Sequence, residues 1–276
     1  MSRGTRRGEC VRHVRVLRRM LAAHLALDLV YRGQFVIFMA AAIAIPVMSL
    51  LVWRAALAGG AALPVSETYL TTYFVVLSFV TMATSSWMAT FLAEDIRLGR
   101  LSSWLIRPAP FLYRHLANNV SEKLLKSAAL LPMIAVVGLV FADSLDLPAS
   151  PARWTLFAVS TVFAAVLVFV LDILIGSLAF WWGDITSLSW ARMLIANLLS
   201  GAVVPLALMP AWAQGFVTAQ PFRFTVSFPV EIVTGDLSAG AVASGFALQV
   251  VYVVLACVAA RFVWKAGLRA YSAVGA

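Results

Sequence analysis

Six stretches of the chain are long enough and apolar enough to cross a lipid bilayer as helices. A hydrocarbon core of about 30 Å needs roughly 20 residues of helix, of which few can be charged. We predict spans at residues 34–53, 69–92, 124–141, 154–181, 193–212 and 241–263. The chain is 62% hydrophobic and 12% charged, which is about half the charged fraction of a typical soluble domain. The sequence therefore predicts an all-α membrane protein with about six transmembrane helices, in a single domain over residues 1–276.

Arginine and lysine residues are concentrated on one side of the predicted bundle. An even number of spans puts both termini on the same side, and that side carries all 21 Lys and Arg residues except Arg54, Arg153 and Arg223. The positive-inside rule identifies this side as the cytoplasm. The formal net charge of +9 follows from this topology, so we expect no nucleic-acid partner.

The segment before the first span, residues 11–32, has the pattern of an amphipathic helix. Val14, Leu17, Leu21, Leu25 and Leu29 share one face at 100° per residue, and several arginines point away from it. We predict a helix that lies in the inner membrane interface. A basic tail that only fixes the topology is the alternative.

The predicted cytoplasmic loop at residues 94–108 mixes charges of both signs with large apolar residues. These apolar residues are Ile96, Leu98, Leu101, Trp104 and Leu105. Their spacing predicts one short helix with an apolar face, ended by Arg107-Pro108 because proline disfavours helix in the residue before it. Such a helix either lies on the membrane or docks into a groove on a cytoplasmic partner, and spacing alone leaves both possibilities open.

The predicted external segment at residues 213–240 is too apolar for a free loop and too rich in proline for a span. Irregular backbone at membrane depth must be buried in protein or face water, so we predict a re-entrant hairpin over the external mouth of the bundle. Phe222, Phe228 and Glu231 are candidates to line a transport path there. Glu231 either attracts cations to the mouth or caps the re-entrant turn.

Asp172 is an ionisable residue well inside a predicted span. It is either a polar point on the transport path or a hydrogen-bonding partner of a neighbouring helix, and its position in the inner half of the span favours the second. The third span requires Lys126 to snorkel to the interface. No histidine has partners at metal-ligand spacing, and zinc-protease and serine-hydrolase motifs are absent from the sequence, so we expect no metal and no catalytic residues.

Taken together, these segments resemble the permease subunits of bacterial ABC-2-type exporters, in the six-span subgroup without a fused ATPase. The likeness covers nearly the whole chain and rests on Glu94, Gly99, Leu101, Arg107-Pro108, Pro221-Phe222, Phe228-Pro229, Glu231, Gly235, Trp264, Gly267-Leu268 and the residues 271–276. In that family the N-terminal helix lies at the inner interface, and the loop after the second span forms a coupling helix that contacts the ATPase. The segment before the last span forms short re-entrant helices at the external gate.

The resemblance implies a set of ATPase-coupling positions and a set of partners. The coupling positions are Glu94, Asp95, Ile96, Arg97, Leu98, Gly99, Arg100, Leu101 and Trp104. The expected partners are two ABC ATPase subunits, a second permease copy, identical or homologous, and the lipids of the bacterial cytoplasmic (inner) membrane. The sequence contains no G-x-x-x-x-G-K-[ST] loop, so ATP and Mg²⁺ are expected in the partner ATPase and no cofactor in this chain.

We therefore expect a transport subunit rather than an enzyme. An apolar bundle with few internal charges suits export of a hydrophobic or amphipathic compound or lipid, from the cytoplasm or inner leaflet, better than export of a small ion. One rival is an integral membrane enzyme or scaffold acting on lipids, which would need convergent polar residues inside the bundle. The other is an ion-driven secondary transporter, which would favour inverted repeats and several buried polar groups.

Overall fold

The structure is a computed structural model that describes residues 3–30, 32–107, 110–235 and 237–271, with side chains described for 12–29, 43–107, 110–235 and 237–271. The described residues form helices and connecting loops, without strands. The helices are α1 (Arg3–Val30), α2 (Arg32–Ala58), α3 (Glu67–Thr84), α4 (Met88–Arg97), α5 (Arg100–Leu105), α6 (Leu112–Val140), α7 (Pro151–Ser177), α8 (Ala179–Trp182), α9 (Thr186–Leu199), α10 (Ala211–Ala219), α11 (Ser227–Thr234) and α12 (Ala239–Ala270). Short 3₁₀ helices lie at Ala142–Ser144, Leu206–Leu208 and Pro221–Thr225.

Four helical segments are long and apolar enough to cross a membrane, namely Glu67–Arg97, Leu112–Val140, Pro151–Trp182 and Ala239–Ala270. Helix α2 has 27 residues, and its described apolar part is Ile43–Ala58. Helix α9 has 14 residues and extends for about 21 Å, less than the bilayer core. The all-α membrane fold is thus confirmed, whereas the number of six crossings stays a prediction.

The span predicted at residues 69–92 is interrupted between α3 and α4. Helix α3 ends at Thr84 and α4 begins at Met88. The Thr84 hydroxyl donates to the Val80 carbonyl and the Ser85 hydroxyl to the Met82 carbonyl, both at 2.9 Å. Of these two acceptors, the Met82 carbonyl is among the last four of α3, which lack partners within the helix, so the Ser85 hydroxyl supplies one.

The continuous helix predicted at residues 193–212 is wrong. Helix α9 starts seven residues earlier, at Thr186, and ends at Leu199. Gly201 then adopts a φ of +84°, in the left-handed region that favours glycine. Pro205 and Pro210 follow, and neither has the backbone N–H that a continuing helix would need.

Helix α7 lies at the centre of the core. It contacts α3, α4, α11 and α12, and the surrounding core contains Phe74, Leu92, Phe224 and Phe228, each at most 1% exposed. Helix α4 approaches α7 closely at Gly176, where a methyl group would lie 2.9 Å from the Ala89 carbonyl oxygen. This close approach fixes the position of α4 relative to the core.

Helix α1 packs along the N-terminal part of α6. The His13 ring meets the Tyr113 ring edge-on at 5.6 Å, and the Ser121 hydroxyl donates to Asp28 at 2.7 Å. The apolar face predicted for this helix is divided, since Leu17, Leu21 and Leu25 are partly covered whereas Val14 and Leu29 are 67% and 60% exposed. Its location in the membrane interface stays a prediction.

Lys126 does not extend to the interface as the sequence predicts. It is buried on α6 and pairs with Glu122, one turn earlier on the same helix. A buried ammonium group is costly unless an opposite charge compensates it. The nearby carboxylate therefore replaces the contact with water that snorkelling would give.

We predict that Gly176→Ala destabilises the protein, whereas Gly215→Ala does not. The first substitution places a methyl group against backbone of α4, so we expect a loss of about 1–3 kcal/mol in unfolding free energy. Gly215 lies within α10 and has open space around it, so alanine there should be neutral or stabilise the helix slightly. Thermal unfolding of both purified variants checks this, and equal melting temperatures would contradict the packing at Gly176.

Candidate functional site

The segment predicted as one cytoplasmic helix forms two helices separated by a turn at Gly99. Helix α4 ends at Arg97 and α5 begins at Arg100, and Gly99 has a φ of +70°. We call residues 94–107 the elbow. Pro108, which was predicted to end the helix, lies outside the described residues, as do Asp236 and residues 272–276.

The predicted coupling residues are divided between the interior and the surface of the elbow. Asp95, Ile96 and Leu101 are buried, with at most 4% of each exposed. Glu94, Gly99 and Trp104 are partly covered, and Arg97, Leu98 and Arg100 are exposed. The family resemblance implies all nine as ATPase-coupling positions, but a partner can reach only those on the surface.

Asp95 holds the elbow together from inside. Its carboxylate lies 3.2 Å from Arg114 and 3.2 Å from His115 of α6, and 3.6 Å from Arg100 of α5. A buried carboxylate with several partners is costly to disturb, because removing it leaves their hydrogen-bonding groups unpaired. Asp95 therefore connects three helices and is not a docking residue.

Aromatic side chains fix the other side of the elbow. The Trp104 ring lies 6.2 Å from Phe111, which stacks on Trp264 of α12 at 5.9 Å. The Ser102 and Tyr271 hydroxyls are hydrogen-bonded at 3.1 Å. The elbow is thus attached to α6 through Asp95 and to α12 through this aromatic cluster.

The exposed part of the elbow combines positive charge with large apolar side chains. We call Arg97, Leu98, Leu105, Ile106 and Arg107 the elbow surface. Ile106 is 86% exposed and Leu98 is 50% exposed, and the Arg107 guanidinium lies over Trp104 at 4.2 Å. This chemistry suits an apolar groove with acidic residues at its edge.

A cavity of about 370 Å³ lies where α3, α4, α7, α9 and Pro221–Thr225 meet. Asp172 and Phe222, two of the predicted path residues, line it. Asp172 is fully buried and forms an ion pair with Arg192 of α9 at 2.6 Å. Asp172 thus has a charged partner on a neighbouring helix and also lines the cavity, so its place on a transport path stays a prediction.

Sequence reasoning missed Arg192 because it placed that residue in a loop. The fifth span was predicted to begin at Met193, but α9 begins at Thr186 and takes Arg192 into its second turn. The available signal was an unpaired acid in one span and an arginine at the start of the next. Opposite charges on consecutive spans favour pairing within the membrane.

Glu231 belongs to a polar cluster on the side predicted to be external. We call Thr218, Arg223, Ser227 and Glu231 the outer cluster. Its carboxylate accepts from Arg223 at 2.5 and 3.2 Å and from the Ser227 hydroxyl at 2.6 Å. Arg223 also donates to the Thr218 carbonyl at 3.0 Å. Glu231 lines a second cavity, of about 450 Å³, together with Tyr69 and Arg223. Because Arg223 compensates its charge, the geometry favours stabilisation of the turn over attraction of cations.

Phe228 lies in the core and lines neither of these two cavities. It is fully buried and packs against Phe224 at 5.4 Å between ring centres. A methyl group on Gly245 of α12 would lie 2.1 Å from its ring. The four predicted path residues are therefore not brought together, since only Asp172 and Phe222 share a cavity.

We predict that Glu231→Gln destabilises the protein more than Glu67→Gln. Glu231 and Arg223 are each 13% exposed, whereas the Arg54–Glu67 pair is 32% and 47% exposed. Breaking the covered pair should cost about 2 kcal/mol or more, and breaking the exposed pair less than about 1 kcal/mol. Thermal unfolding measures both, and equal losses would show that the outer cluster contributes no more than a surface ion pair.

The elbow, the cavity lined by Asp172 and the outer cluster lie within the part of the chain that matches a known family. Residues 59–275 match the family described as ABC-2 family transporter protein. No curated protein sequence matches the chain. The family match covers α3 to α12, and so contains the elbow, both cavities and the outer cluster. The chain therefore belongs to the ABC-2 family of membrane transporter proteins.

Proposed function

We propose that this chain is the transmembrane subunit of an ATP-driven exporter that moves a hydrophobic or amphipathic compound or lipid. A separate subunit hydrolyses ATP. The elbow carries this proposal, because it exposes a basic and apolar surface on a firmly held turn in a member of a transporter family. The sequence lacks a phosphate-binding loop of the P-loop type. In this proposal the energy therefore enters through a contact between the elbow surface and the ATPase subunit.

Helix α4 joins the elbow to the intramembrane cavity, which gives a route for that energy. Ala89, in the first turn of α4, lines the cavity, and Asp95, in its last turn, anchors the elbow. Both residues belong to the same ten-residue helix, which is rigid enough to transmit a displacement of the elbow to the cavity wall. Closure of the ATPase would then change the shape of the cavity.

We propose a complex of two ATPase subunits and two permease copies in the bacterial cytoplasmic membrane, with both termini in the cytoplasm. Helix α9 has no buried residue and exposes Trp190, Leu194 and Leu198. This helix forms one wall of the cavity. A second permease copy, identical or homologous, placed against α9 would enclose the cavity between the two subunits.

Purification from the native membrane tests the central proposal. We expect an ABC ATPase to accompany the chain in mild detergent, and the reconstituted complex to transport an amphipathic compound only when ATP is hydrolysed. The isolated chain should hydrolyse no ATP, which is the matched control. Purification of a stable chain without any ATPase, or hydrolysis by the chain alone, would exclude this function.

Substitutions on the elbow surface test how the ATPase binds. We expect Leu98→Asp combined with Ile106→Asp to weaken association with the ATPase by at least about tenfold, because exposed apolar anchors carry much of the affinity of an interface. Ser150→Asp, at the exposed N-cap of α7, adds an acid away from the elbow surface and from α9, and as the control it should leave association unchanged. A binding titration in detergent measures the difference.

Unchanged association in the double variant would show that the elbow surface is not the docking site. A substitution of Asp95 would not answer this question. Asp95 is buried against α5 and α6, so its loss would disturb the elbow itself as well as any contact that the elbow makes.

A further inference from the structure

The intramembrane cavity has an aromatic rim and a polar wall. Trp87 and Trp190 line it and are 45% and 60% exposed, so their rings lie near its opening. Phe222 also lines it, and the Asp172–Arg192 pair lies in the wall formed by α7 and α9. A volume of about 370 Å³ falls within the range of pockets that bind small molecules.

The charges in this wall compensate each other. Asp172 is fully buried, whereas the Arg192 side chain is 18% exposed. A ligand in the cavity would therefore contact Arg192 more than Asp172. Because the guanidinium is already neutralised, an anionic ligand would lie beside Asp172 without a counter-charge, and a cationic ligand beside Arg192. Either extra charge would be poorly solvated in this environment.

The cavity nevertheless offers hydrogen-bond donors. Among the described residues, five side-chain atoms are buried without a hydrogen-bond partner: the two Asp172 oxygens, whose charge the ion pair with Arg192 compensates, the His115 Nε2 away from the cavity, and two donors in the cavity wall, the Arg192 Nε and the Ser189 hydroxyl. The two residues are three apart on α9 and therefore lie on the same face of the helix. Unpaired buried polar groups are costly, so an acceptor brought to them would be stabilised.

Other hydroxyl groups in the wall are already engaged. Thr81, Thr84 and Thr225 line the cavity, but they donate to the carbonyls of Leu77, Val80 and Phe222, respectively. Among the described residues that line the cavity, the buried donors without a partner are those of Ser189 and Arg192. An oxygen that accepts hydrogen bonds without carrying a charge matches them.

We infer that the cavity binds an uncharged amphipathic molecule. Its apolar body lies against Trp87, Trp190 and Phe222, and a carbonyl or hydroxyl oxygen accepts from Ser189 and Arg192. This inference rests on the proposed function, since it names the chemical class of the cargo. It also excludes carboxylates, phosphates and quaternary ammonium compounds from this site.

Three fluorescent probes with the same body and different head groups test this inference. The probes are 1-pyrenebutanol, 1-pyrenebutyrate and (1-pyrenebutyl)trimethylammonium. Saturable energy transfer from tryptophan to pyrene is measured with the purified full chain in lipid nanodiscs. We expect the alcohol to bind at least about tenfold more tightly than either charged probe. Equal binding of all three probes, or preference for a charged one, would overturn the inference.

Substitutions in the ion pair locate the binding to this cavity. Asp172→Asn leaves a positive wall and should shift the preference to the butyrate, whereas Arg192→Gln leaves a negative wall and should shift it to the ammonium probe. The double variant is neutral and should keep the preference for the alcohol, and it serves if a single variant fails to fold. Preferences that do not follow the charge of the wall would overturn the assignment.

These measurements need neither ATP nor an ATPase, so the two proposals fail separately. Preference for the alcohol in a chain whose complex shows no ATP-dependent transport would support the site and exclude the proposed function. ATP-dependent transport together with preference for a charged probe would exclude the uncharged cargo alone.

Discussion

In a hydrocarbon environment a helix can be interrupted only where the protein itself satisfies the freed backbone groups, and the candidate functional regions of this chain lie at such interruptions. The break between α3 and α4 borders the cavity that Asp172 lines, and there the Ser85 hydroxyl bonds the Met82 carbonyl near the end of α3. The break after α9 borders the same cavity at Ser200 and Ala202. The cavity therefore exists because two apolar segments stop being helical at neighbouring places.

The end of α9 shows how this requirement joins distant parts of the chain. The Leu199 carbonyl accepts from the Gln220 side chain at 2.7 Å, and the Gly201 carbonyl accepts from the Tyr73 hydroxyl at 2.9 Å. The Ser200 carbonyl accepts from the backbone N–H of Ser227 at 3.1 Å. The segment containing the outer cluster thus supplies partners for the end of α9, so a change in that cluster would also affect the outer end of the cavity.

Hydropathy and helical period predict the existence of most helices, because lipid requires every span to be a long apolar segment with its backbone groups hydrogen-bonded internally. They do not predict the interruptions at Ser85 and Gly201, since the flanking sequence stays apolar through both positions. The signals were the serine and threonine residues at 84–86 and the glycine followed by prolines at 201–210. Each pattern also occurs inside continuous membrane helices, where a neighbouring helix satisfies the backbone, so the sequence alone does not distinguish the two outcomes.

The candidate site was less predictable than the fold, because its residues are defined by partners from other helices. The apolar spacing of the elbow is compatible with one helix, whereas the structure has a left-handed turn at Gly99, with Asp95 buried and Leu98 exposed before it. To predict the ion pair of Asp172, one has to know where α9 begins. Hydropathy does not show this, because Arg192 lowers the average hydropathy at that point. Charged residues near span ends are where hydropathy is least informative about helix limits.

The position of Asp172 relative to α4 links the two candidate regions. Asp172 and Gly176 are four residues apart on α7 and therefore share a face, and Gly176 is the point at which α7 meets Ala89 and Leu92 of α4. A displacement of the elbow along α4 would press on this contact. Because the Ala89 backbone approaches Gly176 with no side chain of α7 between the two helices, little room is left to absorb such a displacement by rotamer changes, and the movement would pass to the wall that carries the ion pair. The same packing that places α4 against α7 would thus make the charge-compensated wall of the cavity respond to a partner bound at the elbow.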